Sequence, residues 1–231
     1  MSRFTPLDAS TFIPFDTFIS PASPQPSSPV LEPLDPELIQ PDDNCAVLIT
    51  KLPADIKYPE VFSALAEFRL GAIFSARILP PARQFRTAAA EVIFFEPAGA
   101  QTLIRVAAAT GRGENRRPGF GAFLVRGENV HVRPSRRVVG PYIGPLPASR
   151  VLVVEGPEGM MNVQRLRALL EFKLGRLDTV STRQDGDASQ GVVVVTWEFA
   201  GYKQAETARR VVRGAFRKQR KVRARFGTDY A

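Results

Sequence analysis

The side chains best suited to binding chemistry lie near the end of the chain. From Arg209 to Arg225 there are nine arginines and lysines and no acidic residue. Such a run can follow the phosphates of a nucleic acid by charge alone. A solvated helix and strand edge would have the same composition, and so would a nuclear localisation signal. We expect the nucleic-acid-binding residues to be Arg133, Arg213, Arg217, Lys218, Arg220, Lys221, Arg223 and Arg225.

Residues for catalysis or metal binding are scarce. Cys45 is the single cysteine and His131 the single histidine. No intrachain disulfide can therefore form, and a zinc site built from cysteine and histidine would lack ligands. The sequence contains neither a GxxxxGK[ST] nor a GxSxG motif. We expect a protein that is not an enzyme and that needs no metal or cofactor.

The net charge of +8 is unevenly distributed. Residues 1–44 contain one arginine, seven acidic residues and nine of the twenty prolines, a composition typical of a disordered tail. The rest of the chain is basic. No apolar run approaches the ~18 residues that a spanning helix needs, and the N-terminus lacks the apolar stretch of a secretory signal. We expect an intracellular protein without a membrane partner, with the nucleus slightly favoured over the cytoplasm.

A repeated octet indicates an internal duplication. Ala64 to Gly71 reads ALAEFRLG, and 104 positions later Ala168 to Gly175 reads ALLEFKLG. Apolar residues at i, i+3 and i+4 predict one buried helical face in each copy. The predicted members of these two faces are Phe62, Leu65 and Ala66, and Leu166, Leu169 and Leu170.

The elements around the octets repeat in the same order. Each half of the chain predicts strand, helix, strand, strand, helix, strand, with a Gly/Arg-rich insert before the last strand of the first half. This βαββαβ pattern is that of the ferredoxin-like fold, an α+β class with both helices on one face of a four-stranded antiparallel sheet. We predict a disordered tail (1–44), a first domain (45–137), a Pro/Gly linker (138–148) and a second domain (149–228).

The order of elements, a first strand that ends in Leu52-Pro53, and an aromatic-x5-Ala spacing (Phe94 to Ala100, Phe199 to Ala205) carry a family resemblance. The chain resembles two RNA recognition motifs (RRMs) in tandem, and its layout is similar to that of tandem RRM-like proteins of filamentous fungi. The resemblance covers nearly everything from residue 45 to residue 227. It implies that the partner is RNA, bound as a single strand on the open face of each sheet.

In RRMs, side chains on the two central strands stack on bases. None of the matching positions is aromatic here, so we expect binding mainly through basic side chains of the second domain, with Lys221, Arg223 and Arg225 on its open face. The alternative is that the open faces, with Leu48, Ile93, Leu152 and Val194, bind a protein partner or a second copy of the chain. The six predicted sheet-face positions are Leu48, Ala89, Glu91, Leu152, Val194 and Thr196.

Overall fold

The computed structural model describes residues 39–82, 86–110, 121–187 and 191–229. Most of the predicted acidic tail lies outside these ranges. Its last residues do not, because Pro41–Asp43 form a 3-10 turn. The Asn44 side chain then accepts hydrogen bonds from the N–H groups of Ala46 and Val139, at 3.0 and 3.1 Å. Regular structure therefore begins ahead of residue 45, and the other domain boundaries stay predictions.

The described residues of the first domain form five strands and two helices. Its sheet has the order β2-β3-β1-β5-β4, and every neighbouring pair is antiparallel. Its elements are β1 (Ala46–Leu52), α1 (Tyr58–Ala66), β2 (Ile73–Leu79), β3 (Ala88–Phe94), α2 (Pro97–Thr110), β4 (Gly121–Val125) and β5 (Glu128–Pro134).

The strand β4 is absent from the predicted order, which places only the insert between α2 and the last strand. β4 and β5 form a hairpin whose two-residue turn is Arg126-Gly127, with φ of 54° and 78°. Two left-handed residues are the requirement of this turn, and its usual sequence signals are Asn-Gly and Asp-Gly. Arg-Gly meets the geometric requirement without giving that signal.

Four strands and two helices make up the second domain. Its sheet has the order β7-β8-β6-β9, again with antiparallel neighbours. Its elements are β6 (Val151–Pro157), α3 (Val163–Leu174), β7 (Thr179–Asp187), β8 (Val192–Phe199), α4 (Tyr202–Ala215) and β9 (Arg223–Phe226). Apart from the added β4, both domains have the ferredoxin-like strand order, which confirms the predicted α+β class with two βαββαβ repeats.

Structurally matching residues of the two domains have a constant separation in sequence, which follows from which side chains of each strand point into the core. Core residues of the two domains match at a separation of 105, one more than the separation of the octets. The cross-strand partners agree, since Val47 pairs with Val92 and Leu152 pairs with Trp197. The matched core pairs, each residue at most 2% exposed, are Val47 and Leu152, Val61 and Leu166, Leu65 and Leu170, and Phe94 and Phe199.

The predicted helical faces need correction, because their residues match at a separation of 104 and the buried residues match at 105. Ala66 is exposed and Leu169 only half-buried, whereas Leu65 and Leu170 are buried. α3 begins after an N-cap residue, Asn162, whose side chain accepts from the N–H of Arg165 at 2.7 Å. α3 ends at Leu174, where Gly175 takes a φ of 74°.

An aromatic cluster joins the two domains. Phe74 and Phe95 come from the first domain, Tyr202 from the second, and Tyr142 from the segment between them. Every ring centroid in this group lies within 5.9 Å of the other three. Close packing of this kind fixes the relative position of the groups that carry the rings.

A buried ion pair and backbone hydrogen bonds strengthen the same contact. The Arg150 guanidinium donates to the Asp229 carboxylate at 2.6 and 3.0 Å, and its carbon lies 4.2 Å from the centroid of the Phe62 ring in α1. Asp229 also accepts from the N–H of Ile73, at 3.0 Å. The N–H of Ala76 in β2 donates to the carbonyl of Ala200, at 2.7 Å. The two domains therefore lie within one compact unit.

None of the helices in the described ranges is long and apolar enough to cross a membrane.

Candidate functional site

The open face of the second sheet, here called the second face, carries arginines, two acidic residues and short neutral side chains. Because Leu152, Val154, Val195 and Trp197 point into the core, the alternate residues of each strand point away from the helices. Register places one row of four residues across β7, β8, β6 and β9: Arg183, Thr196, Val153 and Arg225. The next row is Asp185, Val194, Glu155 and Arg223.

This register places Val194 and Thr196 on the open face, whereas Leu152, which was predicted there, lies on the core side of the sheet. The Leu152 side chain is fully buried in the core, and Val153 is its neighbour on the open face. The error arises because the octet spacing of 104 matches Leu48 to Leu152. In the structure the first strands match at a spacing of 105, so Leu48 corresponds to Val153. A slip of one residue moves a side chain to the opposite face of a sheet.

The cations of the second face are exposed. Among the described residues, Arg223 and Arg225 have no acidic side chain within salt-bridge distance. The Arg183 side chain is 76% exposed, and its guanidinium lies 2.8 Å from the Asp185 carboxylate. This hydrogen bond raises the pKa of Arg183. Three strand spacings, about 14 Å, separate the edge strands that carry Arg183 and Arg225.

The remaining predicted cations of the second domain lie elsewhere. Helix α4 buries Ala205, Ala208 and Val212, so the exposed Arg213 belongs to the helical side of the domain. Between α4 and β9 the chain turns through hydrogen bonds from Gln219 N–H to Phe216 O and from Val222 N–H to Gln219 O. This turn, called the basic loop, holds Arg217, Lys218, Arg220 and Lys221, all exposed. Lys221, which was expected to line the open sheet face, therefore lies in this loop ahead of β9.

The open face of the first sheet, here called the first face, has a different electrostatic centre. One row across β2, β3, β1 and β5 contains Arg77, Glu91, Leu48 and Arg133. Glu91, Leu48 and Arg133 thus lie on the open face as predicted, and Ala89 lies on it in the adjacent row. Glu91 is 7% exposed. Its carboxylate accepts a hydrogen bond from Ser135 Oγ at 3.0 Å, and it lies 3.5 Å from Arg77 and 3.7 Å from Arg137.

The segment that follows β5 covers part of the first face. Val139 packs against Cys45, Ala46 and Ile93, and its carbonyl accepts from the Cys45 N–H at 2.7 Å. Ile93 is consequently only 7% exposed. Burial of the Cys45 thiol, with Asp43 and Glu96 nearby, raises its pKa to about 11. At the other end of the face, burial and the charge of Lys51 lower the pKa of His131.

The apolar residues predicted to bind a protein partner or a second copy of the chain do not form a continuous patch. Leu152 belongs to the core and Ile93 is covered, which leaves the half-buried Leu48 and Val194 on separate sheets. The large apolar side chains that are exposed among the described residues are Leu124, Ile143, Leu146 and Phe172.

Sequence reasoning missed Arg77 and Arg183, the arginines of the edge strands β2 and β7. They face the same side of their sheets as Arg133 and Arg225. Strand β7 extends four residues beyond Arg183, to Asp187. Continued alternation from Val180, which is buried, places Thr182 inward and Arg183 outward and was the available signal.

Comparisons with known proteins return solved structures but no family. No protein-family model matches the chain, and no curated protein matches it. RNA recognition domains 1 and 2 of Sex-lethal from Drosophila melanogaster are 17% identical, with 80% of this chain and 100% of that chain covered and a TM-score of 0.28. The N-terminal three RNA-binding domains of the yeast splicing factor Prp24 are 13% identical, with 80% and 64% covered and a TM-score of 0.33.

The first two RRM domains of the yeast poly(U)-binding protein Pub1 are 13% identical, with 80% and 99% covered and a TM-score of 0.28. TM-scores of 0.28 to 0.33 are too low for these structures to support a conclusion about this chain. The predicted likeness to tandem RRM-like proteins of filamentous fungi is unsupported. The class therefore rests on strand order, on helix placement and on the open faces. By these criteria the chain has two ferredoxin-like domains in tandem, the fold that RRMs share.

Proposed function

We propose that this protein binds RNA, as a single strand, through basic side chains of its second domain. One observation carries the proposal: the second face presents Arg183, Arg223 and Arg225, all exposed, around the short and partly exposed side chains of Val194 and Thr196. Arginine guanidinium groups at the edges of an open sheet are suited to the phosphates of a strand that crosses it.

The composition of the face also sets the expected selectivity. Base stacking on an aromatic side chain contributes about 1 to 3 kcal/mol per base. Val153, Val194 and Thr196 have no ring to offer at these positions. Affinity should therefore depend on phosphate contacts, with little preference among base sequences.

The basic loop extends the cationic surface beyond the sheet. Its four side chains are exposed and directly precede β9, the strand that carries Arg223 and Arg225. A strand lying on the second face can continue along this loop without leaving a positive surface. Arg133 and Arg213, on the first face and on α4, would act as outlying positive charges. The same exposed run supports nuclear import as a further expectation.

The proposal is tested by titrating the full chain with a fluorescent single-stranded RNA at several salt concentrations. If about four side chains meet phosphates, the slope of log K against log salt should be near −3. Replacing Arg217, Lys218, Arg220 and Lys221 together by Gln should flatten the slope and weaken all RNA sequences alike. A folded variant, with an unchanged melting temperature, that binds like its parent at every salt concentration would refute the role of the loop. Absence of RNA binding by the parent at low salt would refute the proposed function.

A further inference from the structure

The central rows of the two open faces differ in charge at one matched position. Glu91 on β3 and Thr196 on β8 match at the structural spacing of 105, and each has an edge-strand arginine opposite it: Arg77 faces Glu91, and Arg183 faces Thr196. One face therefore has a carboxylate, and the other a neutral hydroxyl, at the position nearest to its arginines.

The Glu91 carboxylate has the contacts that a bound anion would make. A nearly buried carboxylate is costly unless it is paired and hydrogen-bonded. Its side chain is 9% exposed, whereas those of Arg77 and Arg137 are 65% and 64% exposed. Both arginines lie within 3.7 Å of Glu91, and Ser135 Oγ donates to it at 3.0 Å. The chain's own carboxylate thus pairs with two arginines of the first face, Arg77 and Arg137, but not with Arg133.

The acidic residues of the second face lie away from its central row. Asp185, the partner of Arg183, has a side chain that is 50% exposed, and Glu155 lies opposite Arg223 in the same adjacent row as Asp185. Thr196, next to Arg183 in the central row, brings no charge. The two faces therefore differ in whether a nearly buried carboxylate occupies the centre between their arginines.

We infer that Glu91 acts as an internal anion: its carboxylate pairs with arginines of the first face that an RNA phosphate could otherwise bind. RNA binding would then be directed to the second domain. The segment from Ser135 to Tyr142 holds this arrangement in place. Ser135 binds Glu91, and the N–H of Tyr142 donates to the carbonyl of Phe95 at 3.0 Å. The inference rests on the proposed function, because it concerns where on the chain the RNA is bound.

The test uses Glu91→Gln in the full chain, because the amide keeps the shape of the carboxylate and an acceptor for Ser135. Two freed arginines should steepen the salt slope by about 0.7 to 1.4. Affinity at low salt should rise about two- to fivefold, the range expected of one or two exposed ion pairs. Glu67→Gln is the control: it changes the net charge equally, but Glu67 is exposed at the end of α1, on the helical side. Glu91→Thr, which installs the residue of the second domain, should act in the same direction.

The outcomes separate this inference from the proposed function. Tighter binding by both Glu91 variants and not by Glu67→Gln supports the inference. A parent that binds RNA, together with folded Glu91 variants of unchanged affinity and slope, overturns the inference and leaves the proposed function standing. If a Glu91 variant binds RNA and the parent does not, Glu91 does block RNA binding at the first face. The same result would show that the second face of the parent does not bind RNA, which overturns the proposed function. Binding by neither overturns both.

Discussion

Two copies of nearly the same octet take different conformations in the two domains. In ALAEFRLG the helix ends at Ala66, Arg69 and Gly71 have φ of 50° and 91°, and Phe68 packs edge-on against Phe123 at 5.7 Å. In ALLEFKLG the helix continues to Leu174, and Phe172 is 81% exposed. The difference lies in the surroundings, because Phe123 is on β4, a strand without a counterpart among the described residues of the second domain. Tertiary contact decides where a helix ends when its local sequence permits either outcome.

The largest expected effect concerns the contact that holds the two domains together. Asp229→Ala removes one partner of a pair in which Arg150 is 4% and Asp229 1% exposed. Loss of one partner from a buried pair costs about 3 to 5 kcal/mol. Urea unfolding should show this loss, and a single transition in the parent should separate into two if this pair couples the domains. Glu206→Gln, which breaks the surface pair with Arg210, should leave the midpoint within experimental error.

The next prediction distinguishes the spacing of 105 from that of 104. Leu65→Ala and Leu170→Ala each remove a side chain that is at most 1% exposed, and each should cost about 2 to 5 kcal/mol of unfolding free energy. Leu169, the match of Leu65 at 104, is only half-buried. Leu169→Ala should cost less than half as much as Leu170→Ala in the same denaturation experiment. Equal losses at 169 and 170 would contradict the structural spacing.

A smaller effect is expected from the aromatic residues of the octets. Phe68→Ala removes a half-buried ring and its contact with Phe123, and should cost about 1 to 2 kcal/mol. Phe172→Ala alters an exposed side chain and should stay within about 0.5 kcal/mol of the parent. Melting curves of the two variants give the comparison directly. If the two losses were equal, the octets would have equivalent surroundings, contrary to the structure.

The sequence predicts the order of elements because strand alternation, helical periodicity and the caps at Asn162 and Gly175 are local signals. It does not predict β4, whose turn uses Arg-Gly, or the end of α1, which depends on a contact with that strand. The site is predicted in part. Arg223 and Arg225 follow from the alternation of β9, whereas the burial of Leu152 follows from a one-residue difference that only strand pairing reveals. The contacts of Glu91 involve Ser135 and Arg137, more than 40 positions away, and no local pattern indicates them.

The most direct test of the second face compares two charge-matched triple variants in the RNA titration. Replacing Arg183, Arg223 and Arg225 by Gln removes the cations of that face. Replacing Lys57, Arg86 and Arg105 by Gln removes the same net charge from exposed positions of the first domain, away from the row of Glu91. With both variants folded, we expect only the first to flatten the salt slope, by about 2 for three lost phosphate contacts, and to lose most of the affinity at low salt. Equal losses in the two variants would mean that RNA responds to net charge alone, which would contradict binding at the second face.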